Sequence, residues 1–126
     1  MQMSLYCLTV QRDNMSAAKY DLTIDQGSNF SLTLNVKEDG VNKNLDGWNA
    51  RGSIRETLEG AEVDAFDFTD STFDAAGNLV MKLSHNETTL INAGNYYYDV
   101  EVFNTSTDKA TRIIQGKITV TRQVTR

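Results

Sequence analysis

The sequence predicts an all-β fold, an antiparallel β-sandwich of about seven strands, and three observations carry that prediction. The stretch from Asn95 to Phe103 is almost pure strand former, with Tyr96, Tyr98, Val100 and Val102 on one face and Tyr97, Asp99, Glu101 and Phe103 on the other, because strand side chains alternate. Similar alternating stretches recur along the chain with turn residues between them, and no amphipathic segment reaches helical length, which is the sandwich pattern. Finally, Gly94 stands two residues before Tyr96. Glycine accepts the positive φ of a corner between sheets, and a tyrosine two residues on can return its hydroxyl to that corner's backbone. Gly94 and Tyr96 are therefore expected to form a structural tyrosine corner with the ring buried.

In chain order, residues 1–18 read as an N-terminal arm and 19–126 as the sandwich domain. Met1, Met3 and Met15 are all potential starts, and Met15-Ser16-Ala17-Ala18 looks like a natural beginning. Leu5, Tyr6, Cys7, Leu8 and Val10 give only a weak strand pattern. A loose terminus is the usual state of such a segment; the functional expectation is an assembly arm that adds to a sheet edge, its own or a neighbour's, or lies between subunits. Tyr20 to Ile24 alternates, Gln26-Gly27-Ser28 breaks the pattern, and Phe30, Leu32, Leu34 and Val36 resume it. Asp39-Gly40 and Leu45-Asp46-Gly47 are turn signals, because Asp-Gly pairs supply positive φ. Trp48, Ala50, Gly52 and Ile54 then share a face opposite Asn49, Arg51, Ser53 and Arg55, and the indole is expected in the core.

From Thr57 to Asn78 the pattern weakens, and one short strand at 65–69, carrying Phe66 and Phe68, is all it supports. Asp64, Asp67, Asp70 and Asp74 lack the spacing that packs oxygens around calcium, so a solvated acidic loop is expected. Leu79, Met81 and Leu83 alternate, and Ser84 to Glu87 matches a capping box opening a brief helix that ends by Ile91 or Asn92. After the polar loop Asn104 to Lys109, Thr111 to Thr121 is expected to place Arg112, Ile114, Gly116, Ile118 and Val120 on one face and Ile113, Gln115, Lys117 and Thr119 on the other. The expected core is Leu22, Ile24, Phe30, Leu32, Leu34, Trp48, Ile54, Leu79, Met81, Leu83, Tyr98, Val100, Val102, Ile114, Ile118 and Val120. Proline is absent, so sheet edges must be guarded by charge, bulges or partners.

Composition narrows the function classes. A single domain of 126 residues buries roughly two thirds of its unfolded surface. Its net charge is −5 and its pI about 4.7; with twelve scattered Lys and Arg it lacks the basic cluster that nucleic acid requires. Cys7 is the sole cysteine, which excludes an intrachain disulfide and a multi-cysteine metal site and fits synthesis in a reducing compartment. Sequons occur at Asn14, Asn29, Asn86 and Asn104 without a visible secretory leader, and no apolar run approaches the roughly twenty residues of a membrane span. His85 is the only histidine and stands at a helix cap, away from any nucleophile motif. Asp99 and Glu101 share one outward strand face about 7 Å apart, as solvated carboxylates would, and no Gly-rich phosphate loop is present. The expectation is a protein without catalytic residues, cofactor or metal.

Tyr20-Asp21-Leu22-Thr23-Ile24-Asp25-Gln26-Gly27-Ser28-Asn29-Phe30, Asn44-Leu45-Asp46-Gly47-Trp48, Ala93-Gly94-Asn95-Tyr96-Tyr97-Tyr98-Asp99-Val100 and Gly116-Lys117-Ile118-Thr119-Val120 together resemble the small immunoglobulin-like virion proteins of tailed bacteriophages. The resemblance spans roughly residues 19–126, and its motifs specify strands and corners. Asn95 and the triple tyrosine depart from the family pattern, and the arm has no counterpart in it. The resemblance implies an immunoglobulin-like sandwich and a non-catalytic structural component of a virion: tail, baseplate, neck or fibre-attachment protein, or capsid decoration. It further implies synthesis in the host cytoplasm and assembly with other virion proteins and with copies of itself, without nucleic acid or membrane as partner. The alternative is a bacterial adhesin or carbohydrate-binding module, in which Tyr97 and Phe103 would stack on the sugars of a host-surface glycan. A small hydrolase would need a nucleophile and base that the residues do not supply.

Overall fold

The computed structural model describes residues 7–12, 18–38 and 41–123. They form β1 (Cys7–Arg12), β2 (Ala18–Lys19), β3 (Leu22–Asp25), β4 (Phe30–Glu38), β5 (Val41–Asn42), β6 (Asn49–Arg55), β7 (Glu62–Ala65), β8 (Asn78–Leu83), α1 (His85–Leu90), β9 (Gly94–Asn104) and β10 (Lys109–Thr121). In the first sheet, β4 pairs antiparallel with β8 along Phe30 to Asn35 and with β5 at its far end. β1 runs parallel to β4, with Cys7 opposite Thr33 and Arg12 opposite Glu38. The second sheet has the antiparallel order β10-β9-β6-β7, and β2 and β3 lie parallel along the outer side of β10. A β4/β8 pair facing a β6/β9/β10 ladder is the strand arrangement of an immunoglobulin-like sandwich.

Alternation builds the core between the sheets. Phe30, Leu32, Leu34 and Val36 of β4, with Leu79, Met81 and Leu83 of β8, pack against Ile54, Tyr98, Val100, Val102, Ile114 and Ile118 of the second sheet. Each such side chain contributes about 1.5–3 kcal/mol when fully buried. The short helix is fixed by its cap: Glu87 N donates to Ser84 Oγ at 3.2 Å, and Ser84 N donates to Glu87 Oε1 at 3.0 Å. Thr88 is fully buried because its hydroxyl accepts from Gly27 N at 3.0 Å and donates to Ser28 O at 2.8 Å. That pair of bonds ties α1 to the turn between β3 and β4.

Three local expectations need correction. Trp48 is only partly buried, at the margin of the core, with the Lys43 ammonium 4.4 Å from its ring centre. The preceding turn closes through Trp48 N to Leu45 O at 2.9 Å, and it is Leu45 that is fully buried. The expected strand at 65–69 is two partial pairings instead of one. Strand β7 ends at Ala65, Phe66 N donates to Gly52 O at 3.0 Å in the second sheet, and Asp67 exchanges bonds of 2.9 and 3.0 Å with Lys82 in the first. The chain changes sheet between Phe66 and Asp67, and both Phe66 and Phe68 enter the core. Finally, the β10 register shifts between Arg112 and Ile114. Ile113 and Ile114 are both buried there, so Arg112 faces away from Ile114 as a bulge requires. Beyond the bulge, Ile118 and Val120 keep the expected inward phase. The Asp39-Gly40 turn lies outside the described residues.

Candidate functional site

Gly94 opens β9 with a φ of 152° and has no atom within 4 Å of where a Cβ would stand, so backbone conformation and not crowding selects glycine there. Two residues on, Tyr96 is buried at 5% exposure and donates its hydroxyl to Asn92 O at 2.6 Å. The phenol closes the passage from α1 into β9, which is a structural task.

A second tyrosine does comparable work that the sequence pattern did not reveal. Tyr98, also buried, donates its hydroxyl past Gly116 of the neighbouring β10 to Tyr20 O at 2.5 Å, within the same sheet. At this point the chain steps off β10 between β2 and β3. Tyr20 N donates to Gln115 O at 2.9 Å, and Lys117 N donates to Asp21 Oδ1 at 3.0 Å. A Cβ on Gly116 would lie 2.1 Å from Tyr20 O, so only glycine admits the step. Burial, with the nearby Asp21 carboxylate and Tyr20 phenol, pushes the Tyr98 phenol far above its ordinary pKa. The one available signal was a glycine inside a long strand, which marks close backbone approach.

The outward face of the β6-β9-β10 ladder carries polar side chains in regular rows. Its cross-strand rows are Arg55, Tyr97 and Lys117; Ser53, Asp99 and Gln115; and Arg51, Glu101 and Arg112. Arg51 Nε donates to Glu101 Oε1 at 2.6 Å, and Arg112 Nε lies 3.2 Å from Asp99 Oδ2. The Arg51 guanidinium also stands 4.5 Å from the Phe103 ring centre, on a ring face that a stacked sugar would use. Around Tyr97 lies an open depression of about 600 Å³, lined also by Lys19, Arg55, Leu58, Arg112 and Lys117.

Of the arm residues, Leu5 and Tyr6 lie outside the described residues, while Cys7, Leu8 and Val10 fall in β1, opposite Thr33, Leu34 and Val36. Ala18, placed in the arm by the sequence reading, lies with Lys19 in β2 against Ile114 and Gln115. Among the described residues no group of three or more His, Cys, Asp or Glu side chains is placed to hold a metal, and no helix is long and apolar enough to cross a membrane.

No protein-family model matches the chain, and no curated protein sequence matches it. Among solved structures, it is similar to the N-terminal domain of phage TP901-1 ORF48, with a TM-score of 0.55 at 17% identity, covering 95% of this chain and 98% of that one. It is more loosely similar to the cysteine protease inhibitor EhICP2 from Entamoeba histolytica, with a TM-score of 0.43 at 10% identity, covering 93% and 95% of the two chains. The first likeness, extending over nearly the whole of both chains, bears on the fold alone and agrees with an all-β sandwich.

Proposed function

We propose that this protein is a non-catalytic structural component of a tailed-phage particle that works through protein–protein contacts. The observation that carries the reading is the near end-to-end likeness to a phage protein's N-terminal domain, met by a chain whose own motifs resemble phage virion proteins. The side chains on the outward face of the β6-β9-β10 ladder support the same reading. Asp99 and Glu101 are bound to Arg112 and Arg51 on neighbouring strands, whereas a hydrolytic pair of carboxylates would converge on a cleft. Its partners are copies of itself and other particle proteins, and its location is the virion. Tail, baseplate, neck, fibre attachment and capsid decoration all remain within this role.

Density-gradient-purified particles of the encoding phage, analysed by quantitative mass spectrometry, test the proposal. The expected result is the protein in the particle at a fixed copy number matching a symmetric ring or lattice. Its presence in the lysate with absence from purified particles would overturn the reading.

A further inference from the structure

The depression beside Tyr97 carries a charge opposite to that of the protein as a whole. Lys19, Arg55, Arg112 and Lys117 line it together with Asp21 and Asp99; Arg112 is paired with Asp99, which leaves three cations to the one carboxylate of Asp21. A basic hollow on a chain of net charge −5 selects an acidic partner surface. Tyrosine and arginine are also the side chains that concentrate at the centres of protein interfaces.

At the edge of the same hollow stands the turn Glu56-Thr57-Leu58-Glu59-Gly60, fixed from within by Arg55 Nη1 donating to Gly60 O at 2.7 Å. Leu58 borders the hollow of its own protomer but stays 76% exposed, with most of its side chain open to a partner. The turn is acidic, and from Glu56 to Met81 the chain carries no Lys or Arg. An apolar knob with carboxylates on either side therefore stands next to a basic hollow with a tyrosine in it. A two-fold axis beside such a surface seats both knobs in both hollows at once.

We propose that this face is a self-association surface, occupied by a second copy of this chain whose Glu56–Gly60 turn enters the hollow. Leu58 packs against Tyr97 of the other copy, and Glu59 faces its Lys117. The inference rests on the assembly reading above in taking copies of the chain as partners.

Sedimentation velocity of the full chain over a concentration series tests it, with circular dichroism melts confirming that each variant is folded. The expected result is a reversible monomer–dimer equilibrium that weakens with salt, since the contact is charged. Leu58→Ala and Tyr97→Ala should each raise the dimer dissociation constant by about thirtyfold, the size of an interface hot spot. Glu59→Lys and Lys117→Glu should each weaken the homodimer, because like charges then meet. An equimolar mixture of those two variants should restore association, because both contacts in the mixed dimer regain opposite charges. A chain that stays monomeric, an association indifferent to these changes, or a mixture that fails to recover would each overturn the proposal. A monomer still found in purified particles overturns the surface and leaves the particle reading standing.

Discussion

At the scale of single residues, two buried phenols hold the chain where it changes direction, and each makes a measurable prediction. Tyr96→Phe removes the donor to Asn92 O and should cost about 1–3 kcal/mol in urea unfolding, because a backbone acceptor loses its partner while the ring still packs. A change of less than a few tenths would remove the corner from the account of stability. Tyr98→Phe should cost a similar amount by leaving Tyr20 O unmet, and it carries a signature in pH as well. Folding raises the Tyr98 pKa, chiefly by desolvation. The neutral phenol is thus preferred in the folded state, and its contribution is complete below the unfolded tyrosine pKa of about 10. Above that pH the unfolded chain ionises first and stability falls towards the folded value. Unfolding free energies measured from about pH 8 to about pH 11 should therefore decline less steeply in Tyr98→Phe than in the parent; parallel slopes would contradict the assignment. The two tyrosines differ in how readable they are. Tyr96 finds its acceptor four residues away beside a glycine, so local pattern exposes it, whereas the Tyr98 acceptor lies 78 residues away.

At the scale of elements, the strands with unbroken alternation were legible, and the errors fall where one residue interrupts the period. β4, β8 and β9 keep strict alternation, and their buried faces follow from it. The capping box of α1 is a reciprocal pair only three residues apart, so it too can be read locally. A bulge in β10 cannot be, because it is a choice of register against β9 that leaves Ile113 and Ile114 both inward. The passage from Phe66 to Asp67 fails for a related reason: a two-residue apolar spacing reads as one strand, although its hydrogen bonds go to two different sheets. The polar depression was less legible still, since Lys19, Arg55, Leu58 and Lys117 come together only through the pairing of separate strands and a turn. Gly116 supplies the test at this scale. With Tyr20 O 2.1 Å from the position of a new Cβ, Gly116→Ala must push the β2–β3 segment away from β10, at an overpacking cost of about 1–3 kcal/mol. Hydrogen exchange should then quicken at the amides of Ala18 to Asp25 while the amides shared by β6 and β9 keep their protection. Equal loss in both places would mean that the step at Gly116 is not a local device.

At the scale of the whole molecule, a sandwich without proline has to manage its open edges by other means. The second sheet ends on β7, a four-residue strand with Glu62 and Asp64 on it, so short length and charge both discourage pairing there. The first sheet is different, because β1 lies along β4 from Thr33 to Glu38. Ordering the six residues of β1 costs on the order of 1–2 kcal/mol each in backbone entropy, which the parallel ladder to β4 opposes. The core cluster from Leu22 to Val120 fills the space between the two sheets within residues 18–123. A chain starting at Met15 should therefore stay folded and unfold in one cooperative transition. It would, however, present the bare backbone donors and acceptors of β4 to any strand that meets them. The expected outcomes are a thermal midpoint close to that of the full chain, concentration-dependent aggregation seen by light scattering, and reduced incorporation when the truncated protein complements a particle lacking it. A truncated protein that stays dispersed and assembles as well as the full chain would make β1 a passenger on the β4 edge.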